Sequence, residues 1–243
     1  MTDTTMHAAP SRVFEVSAVA LDLDGTLLDT VHDLAIAVNA LLVEWDLSPL
    51  PVDRVRALVG KGMANLVRRA LGEARGVSAE SIEDDEAAEA LTAYQRHYHA
   101  ILGRHTRIFE GVREGLARLS AMNLPLAVIT NKASRFVRPH LVQSGLVDYF
   151  ALVLGADDHP TRKPDPGPLL HAARTFGIAP AKLLMVGDSS NDAQAARAAG
   201  CPVLILPYGY NEGEPVQSID ADGIVPSLRA VADCIRPLPI SSS

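Results

Sequence analysis

Apolar positions along the chain fall into two alternating registers. Val16–Asp24 (VSAVALDLD) is apolar and partly β-branched, ends in acids and meets Gly25, which predicts a buried strand. From Thr30 to about His105 the pattern turns helical. Leu34, Val38, Leu41 and Leu42 recur at helical spacing with Trp45 close behind. After a Pro-containing break at Ser48–Pro51, further helices are predicted over Val52–Leu58, Met63–Leu71 and Glu83–Leu102. Strands return at Leu124–Asn131, Phe150–Ala156, Leu183–Asp188 and Val203–Leu206. Helices near Val112–Met122, Ser134–Ser144, Pro168–Phe176 and Asp192–Ala199 separate them. Pro139 is expected to bend the second of these helices, and Gly145, Gly177 and Gly200 stand where left-handed caps end three of them.

Strands alternating with helices imply an α/β fold with a doubly wound, mostly parallel sheet (a Rossmann-like core), and the helical stretch after the first strand reads as an inserted α-helical unit. The expected division is a disordered tail over 1–12, an α/β core over 13–29 and 106–243, and the helical insertion over 30–105.

Composition narrows the partners. With 243 residues, 48% hydrophobic and 21% charged, the chain can bury a sizeable core without disulfides. A net charge of −7 argues against broad nucleic-acid binding but leaves room for a small anionic substrate in a locally positive pocket. Cys201 and Cys234 form no CxxC pattern, the first residues lack a secretory apolar run, and no apolar stretch reaches bilayer-spanning length. A cytoplasmic protein without membrane partners is expected, as a monomer or homodimer.

The candidate chemistry lies at strand ends, where open α/β sheets gather their ligands. The first strand ends Asp22-Leu23-Asp24-Gly25-Thr26, and residues two apart on a strand share a face, so both carboxylates can address one site. Paired acids repel unless a cation relieves them, and Mg2+ prefers hard oxygen ligands of this type. Thr130-Asn131-Lys132 ends a second strand with a hydroxyl, an amide and backbone N–H groups suited to a phosphoryl oxygen. A third ends Gly187-Asp188-Ser189-Ser190-Asn191-Asp192, adding Asp188 and Asp192 to the acids. Between them, Arg162-Lys163-Pro164-Asp165-Pro166 fixes a lysine on stiffened backbone. Taken singly each has a plain structural reading, Asp192 as a helix cap above all. In this order, at these strand ends, coincidence is a poor explanation.

Together these four signatures resemble the four motifs of the haloacid dehalogenase superfamily, over Val16 to about Leu206. The resemblance implies Asp22 as nucleophile and Asp24 as general acid, then base. It implies Mg2+ held by Asp22, the Asp24 carbonyl and Asp188, with Asp192 in support. Thr130 and Asn131 would bind the phosphoryl group, and Lys163 would balance its charge. It also makes the helical insertion a small cap, whose Val59-Gly60-Lys61-Gly62-Met63 loop is the candidate substrate reader, with Gly60, Lys61 and Gly62 at its centre. Asp29-Thr30, the VGKG loop and Tyr208-Gly209-Tyr210-Asn211-Glu212-Gly213-Glu214-Pro215 are further similar to the bacterial phosphoglycolate phosphatase branch. A small polar residue is expected where Lys61 stands.

The implied activity is hydrolysis of a small phosphate ester, 2-phosphoglycolate, through an aspartyl-phosphate. The alternatives are another small-ester phosphatase or a phosphosugar mutase of the same superfamily. A dehalogenase would lack the acid at position 24. A response-regulator receiver would place its acceptor acid on an internal strand, and a binding protein that had lost turnover would lack Asp22, Asp24 or Lys163. No GxGxxG follows the first strand to suggest a dinucleotide.

Overall fold

The computed structural model describes residues 13–239, and the tail expected over residues 1–12 lies outside them. The single strand predicted over Val16–Asp24 divides into β1 (Phe14–Val16) and β2 (Ala18–Leu21), with a bend at Ser17. The division has a pairing cause: β1 pairs in parallel with the last strand, Ile235–Pro237, while β2 enters the main sheet. Asp22 and Asp24 therefore sit beyond the strand's end, in the turn leading to β3 (Leu28–Asp29).

Four helices follow: α1 (Val31–Glu44), α2 (Val52–Leu58), α3 (Met63–Arg75) and α4 (Asp84–Ile101). α3 repeats Met63, Leu66, Val67, Ala70 and Leu71 on one buried face and stops at Gly76, whose φ of 71° is left-handed. α4 opens on Asp84, Asp85 and Glu86, acids favoured by the positive end of the helix dipole, and buries Ala90, Ala93, Tyr94 and Tyr98. The four helices pack into an apolar cluster of their own, to which later segments contribute Phe136 and Tyr210.

The chain returns through β4 (Arg107–Ile108), antiparallel to β3, a two-stranded crossing for which the sequence carries too short an apolar pattern. Then come α5 (Val112–Ala121), β5 (Leu126–Ile129), α6 (Ser134–Gln143), β6 (Leu152–Leu154), α7 (Gly167–Thr175), β7 (Leu183–Gly187), α8 (Ser190–Ala199) and β8 (Val203–Ile205). Short elements close the chain: β9 (Gly223–Ile224), α9 (Leu228–Val231) and β10 (Ile235–Pro237). α6 runs through Pro139 without interruption, and Gly145, Gly177 and Gly200 have φ values of 64°, 66° and 74°, the left-handed caps expected.

The main sheet has the order β6-β5-β2-β7-β8-β9 and is parallel throughout. Alternate residues of its strands face opposite layers. Val19, Leu21, Leu126, Val128, Leu184 and Val186 pack with Leu116 of α5, Leu141 of α6 and Leu228 of α9. Ala18, Ala20, Ala127, Ile129, Leu183 and Met185 pack with Leu169 of α7 and Ala195 of α8. β2 is central, and the strand order reverses there, because β5 and β7 lie on its two sides. A doubly wound sheet leaves its crevice at that reversal, beyond the carboxyl ends of the strands. Leu116 is fully buried beneath the sheet, so Leu116→Ala should lower stability by about 3 kcal/mol. The check is urea unfolding, with a lower midpoint and an unchanged slope.

Candidate active site

The three central strands deliver their polar residues to the crevice. Asp22 follows β2 and is held there by its own N–H, which donates to the Val186 carbonyl (3.0 Å). Lys163, in the loop between β6 and α7, reaches in from the side and is 3% exposed. Its Nζ lies 2.9 Å from Asp22 Oδ1, 2.6 Å from Asp192 Oδ1 and 2.7 Å from the Ile129 carbonyl. Burial alone would discharge this ammonium, but Asp192 and Asp22 outweigh it and hold its pKa above the ordinary lysine range.

The acids themselves are under strain of charge. Burial, with the charge of Asp192 added and Lys163 opposing, pushes Asp22 up to about 6. Burial, then Asp192 and Asp22, pushes Asp188 well above the carboxylate range. Asp188 takes Thr26 Oγ1 on one oxygen and the Tyr210 N–H on the other, both at 2.6 Å. A Cβ at Gly25 or at Gly209 would stand 2.2 Å from its Oδ2, so two glycines are needed to close the backbone around this carboxylate. Asp192 both caps and connects. With Ser189 it forms the capping box of α8, and its Oδ2 accepts from the N–H groups of Asp188 (3.2 Å) and Ser189 (3.1 Å) while its Oδ1 takes Lys163.

One oxygen from each of Asp22, Asp188 and Asp192 falls within 4.8 Å of the others. Asp22 Oδ1, although ion-paired to Lys163, has no hydrogen-bond donor in good alignment. Three carboxylates beside one lysine, two of them buried and Asp22 partly exposed, form a hard-oxygen site with uncompensated negative charge, and this donor set fits a divalent cation.

Asp24 occupies a different environment. Lys132 Nζ pairs with both its oxygens at 3.0 and 3.1 Å and also donates to the Tyr98 hydroxyl at 2.6 Å. Burial pushes the Asp24 carboxyl up, yet Lys132 overrides it and holds the group below its ordinary value. Thr130 and Asn131 are buried beside it. Asn131 Nδ2 donates to the Lys163 carbonyl (2.8 Å) and the Gly60 carbonyl (3.3 Å), and its Oδ1 has no partner.

The crevice holds a cavity of about 50 Å³ lined by Asp22, Asp24, Thr130, Lys163 and Asp192 below and by Leu34, Val59, Gly60, Gly62, Met63 and Leu66 above. Lys61 lies outside that lining. Its side chain is 51% exposed, and its Nζ pairs with Glu212 at 3.1 Å, an oxygen that also takes Arg69 at 3.0 Å. The sequence places Lys132 at a strand end without assigning it a role, because a lysine after a strand shows nothing of which acid it meets. Nothing local marks Tyr98, whose contact lies 34 residues away along the chain, and Tyr210 stands out only as part of a resemblance. The Tyr210 hydroxyl accepts from the N–H groups of Thr30 and Val31 and donates to Asp29, tying the loop after β8 to the start of α1.

Fold and site define a hydrolase class, and comparison with known proteins identifies it: the chain belongs to the haloacid dehalogenase-like hydrolases, whose signature spans residues 19–206. It is 49% identical to the phosphoglycolate phosphatase of Thiobacillus denitrificans (strain ATCC 25259 / T1) over 89% of this chain and 94% of that protein. It is 42% identical to the phosphoglycolate phosphatase of Neisseria meningitidis serogroup A / serotype 4A (strain DSM 15465 / Z2491), over 96% of this chain and 97% of that protein. A crystal structure of a predicted phosphoglycolate phosphatase from Haemophilus somnus 129PT superposes with a TM-score of 0.84 at 32% identity, covering 90% of this chain and 97% of that one.

The carboxylate cluster makes cation binding and protonation compete. Asp22 rises from 3.8 to about 6 on folding, so its contribution to stability is full below about 4 and lost as pH rises through 6. His140 has the opposite sign. Burial and then Lys132 lower it from 6.5 to about 4, so its contribution is present above 6.5 and lost as pH falls through about 4. The two trends oppose each other in the metal-free protein, and the difference made by Mg2+ isolates the carboxylates. We expect the rise in melting temperature on adding Mg2+ to be small at pH 4.5 and to grow through pH 6 to a plateau. An increment independent of pH would remove this trio as the cation site.

Proposed function

We propose that the chain is a Mg2+-dependent phosphatase that hydrolyses 2-phosphoglycolate to glycolate and phosphate through an aspartyl-phosphate on Asp22. The observation that carries the reading is Lys163 bridging Asp22 and Asp192 at the sheet's reversal, with Asp188 beside them. The substrate is supported by relatives of that name at up to 49% identity over most of the chain. The small cavity under the helices also suits a small ester. The two cysteines are free thiols, and no helix among the described residues is long and apolar enough to cross a membrane; we place the enzyme in the cytoplasm.

Asp22, Asp188 and the Asp24 carbonyl would hold Mg2+, with Asp192 fixing their surroundings. When bound, the cation neutralises the carboxylates and draws charge from the phosphoryl oxygens. Lys163 opposes the burial that would protonate Asp22 and so favours the ionised nucleophile, and Lys163, Thr130 and Asn131 hold the phosphoryl group in line. In the first step an Asp22 oxygen bonds to phosphorus, the ester P–O bond breaks, and Asp24 gives its proton to the departing glycolate oxygen. In the second, Asp24 takes a proton from water, the water oxygen bonds to phosphorus, and the bond to Asp22 breaks, releasing phosphate.

Lys132 poises Asp24 for the second step, since it favours the ionised form. The first step needs the proton, and the approach of a phosphoryl dianion supplies the bias, because a nearby negative charge raises a carboxyl pKa. The apolar residues of α1 and α3 exclude water from the leaving group while this happens.

Phosphate release from 2-phosphoglycolate, glucose phosphates, nucleotides and pyrophosphate, with Mg2+ and then with excess EDTA, tests the reading. The expected result is Mg2+-dependent preference for 2-phosphoglycolate. Preference for another ester would keep the chemistry and discard the substrate. Asp22→Asn should lower kcat by at least about 1,000-fold, because the amide cannot form the acyl-phosphate. Normal turnover by that variant would remove the covalent step.

A further inference from the structure

The cavity's floor is charged, whereas its roof among the described residues consists of Leu34, Val59, Gly60, Gly62, Met63 and Leu66. A 2-phosphoglycolate with its phosphoryl group at Asp22 must place its carboxylate under that roof. The Lys61 ammonium is turned away to Glu212, so the carboxylate needs other donors.

Two are free. Asn191 is 3% exposed and lines the cavity, and its Nδ2 has no hydrogen-bond partner. A Cβ built on Gly60 would stand 3.4 Å from that nitrogen, so the amide faces the loop before α3. The second donor is the start of α3 itself. This helix of 13 residues has no side chain capping it, and Gly62 and Met63, at its first turn, line the same cavity. The first N–H groups of a helix have no acceptor within it and carry its positive dipole end. Gly60 and Gly62, with φ of 137° and 83°, hold the loop in a backbone conformation that brings main chain rather than side chains to the cavity.

We propose that Asn191 Nδ2 and the uncapped N-terminus of α3 form a carboxylate subsite, which sets the enzyme's preference for esters whose leaving group carries a carboxylate. The inference rests on the phosphatase reading above and assigns its specificity to groups other than the Lys61 side chain. The chemistry is matched: an amide offers only its N–H donors to this acceptor, and the helix end adds positive potential without a mobile side chain. A buried donor left unpaired is costly, so an ester that satisfies it gains over one that leaves it empty.

The test measures kcat/KM for 2-phosphoglycolate and for ethyl phosphate, which has the same chain length and no carboxylate. Asn191→Ala is compared with Asn191→Leu, which keeps the volume without the donor. Each variant should lose about 10–100-fold on 2-phosphoglycolate, mainly through KM, and stay within about threefold of wild type on ethyl phosphate. Inhibition by inorganic phosphate should be unchanged, which shows a folded site with an intact phosphoryl end. Equal losses on both esters, or weakened phosphate inhibition, would assign Asn191 to the phosphoryl group and overturn the subsite. Variants that match wild type on both esters would overturn it too. If wild type itself treats the two esters alike, the substrate reading falls with the subsite. Failure confined to the variants leaves the substrate reading standing.

Discussion

The buried ammonium of Lys163 is the constraint on which the site depends. Three carboxylates gather at one end of the sheet, and burial there disfavours each charge. Lys163 touches two of them and a backbone carbonyl, so it cannot leave without stranding both acids. Breaking such a buried pair costs several kcal/mol, typically about 3–5, because an uncompensated charge remains. The loop that carries it is tied in turn by Asn131, whose amide donates to the Lys163 carbonyl. The same lysine leaves the cluster short of positive charge, since three carboxylates share one ammonium. That donor set fits a divalent cation, and the raised Asp22 and Asp188 express the deficit of positive charge.

The architecture was legible because strand and helix periods are written directly in the chain. β5, β7 and β8 lie within the predicted segments, and α2 falls on its predicted limits. Their polar ends could be aligned because a parallel sheet sends every strand's carboxyl end to the same edge. β3, β4 and β9 were not legible because each has two residues, fewer than an alternation needs to show itself, and β1 was read as one strand with β2 because only its pairing with β10 separates them. The same limit applied to the site. Asp22, Thr130, Lys163 and Asp188 are found by their place at strand ends and in a rigid loop. The Lys132–Asp24 pair depends on β5 lying beside β2, and the Tyr98 contact on how α4 lies over the sheet, which no local pattern encodes. Lys61 shows the reverse case. A lysine between two glycines reads as a ligand, and only Glu212, 151 residues on, reveals where its charge goes.

The helices and the sheet are joined through the groups of the crevice as well as around them. Lys132 holds Asp24 on one side and the Tyr98 hydroxyl of α4 on the other. Asn131 holds the Gly60 carbonyl, and Glu212 collects Lys61 and Arg69. The loop after β8 enters this junction twice, through Tyr210 beneath α1 and through Glu212 beside α3. Core packing alone does not demand its Tyr208-to-Pro215 sequence. These contacts account for it, because the loop fastens the helical layer and also supplies the N–H that fixes Asp188.

These connections give the two ends of the cavity different physics. The floor is charged and rigid, because each acid there is fixed by a lysine or by backbone N–H groups. The roof is apolar and carries main-chain dipoles, and on the proposed reading it distinguishes leaving groups by size and by whether they satisfy a buried donor. On the proposed reading, chemistry and choice of substrate are separated in space and in the chain. The first belongs to residues following β2, β5 and β7. The second belongs to the inserted helices and to Asn191, which stands on α8 between Ser189 and Asp192 and faces the loop above. On that reading a change in the insertion alters the leaving group while the contacts of Asp22, Asp188 and Asp192 stay within the core; Asp24 is tied to the insertion through Lys132 and Tyr98.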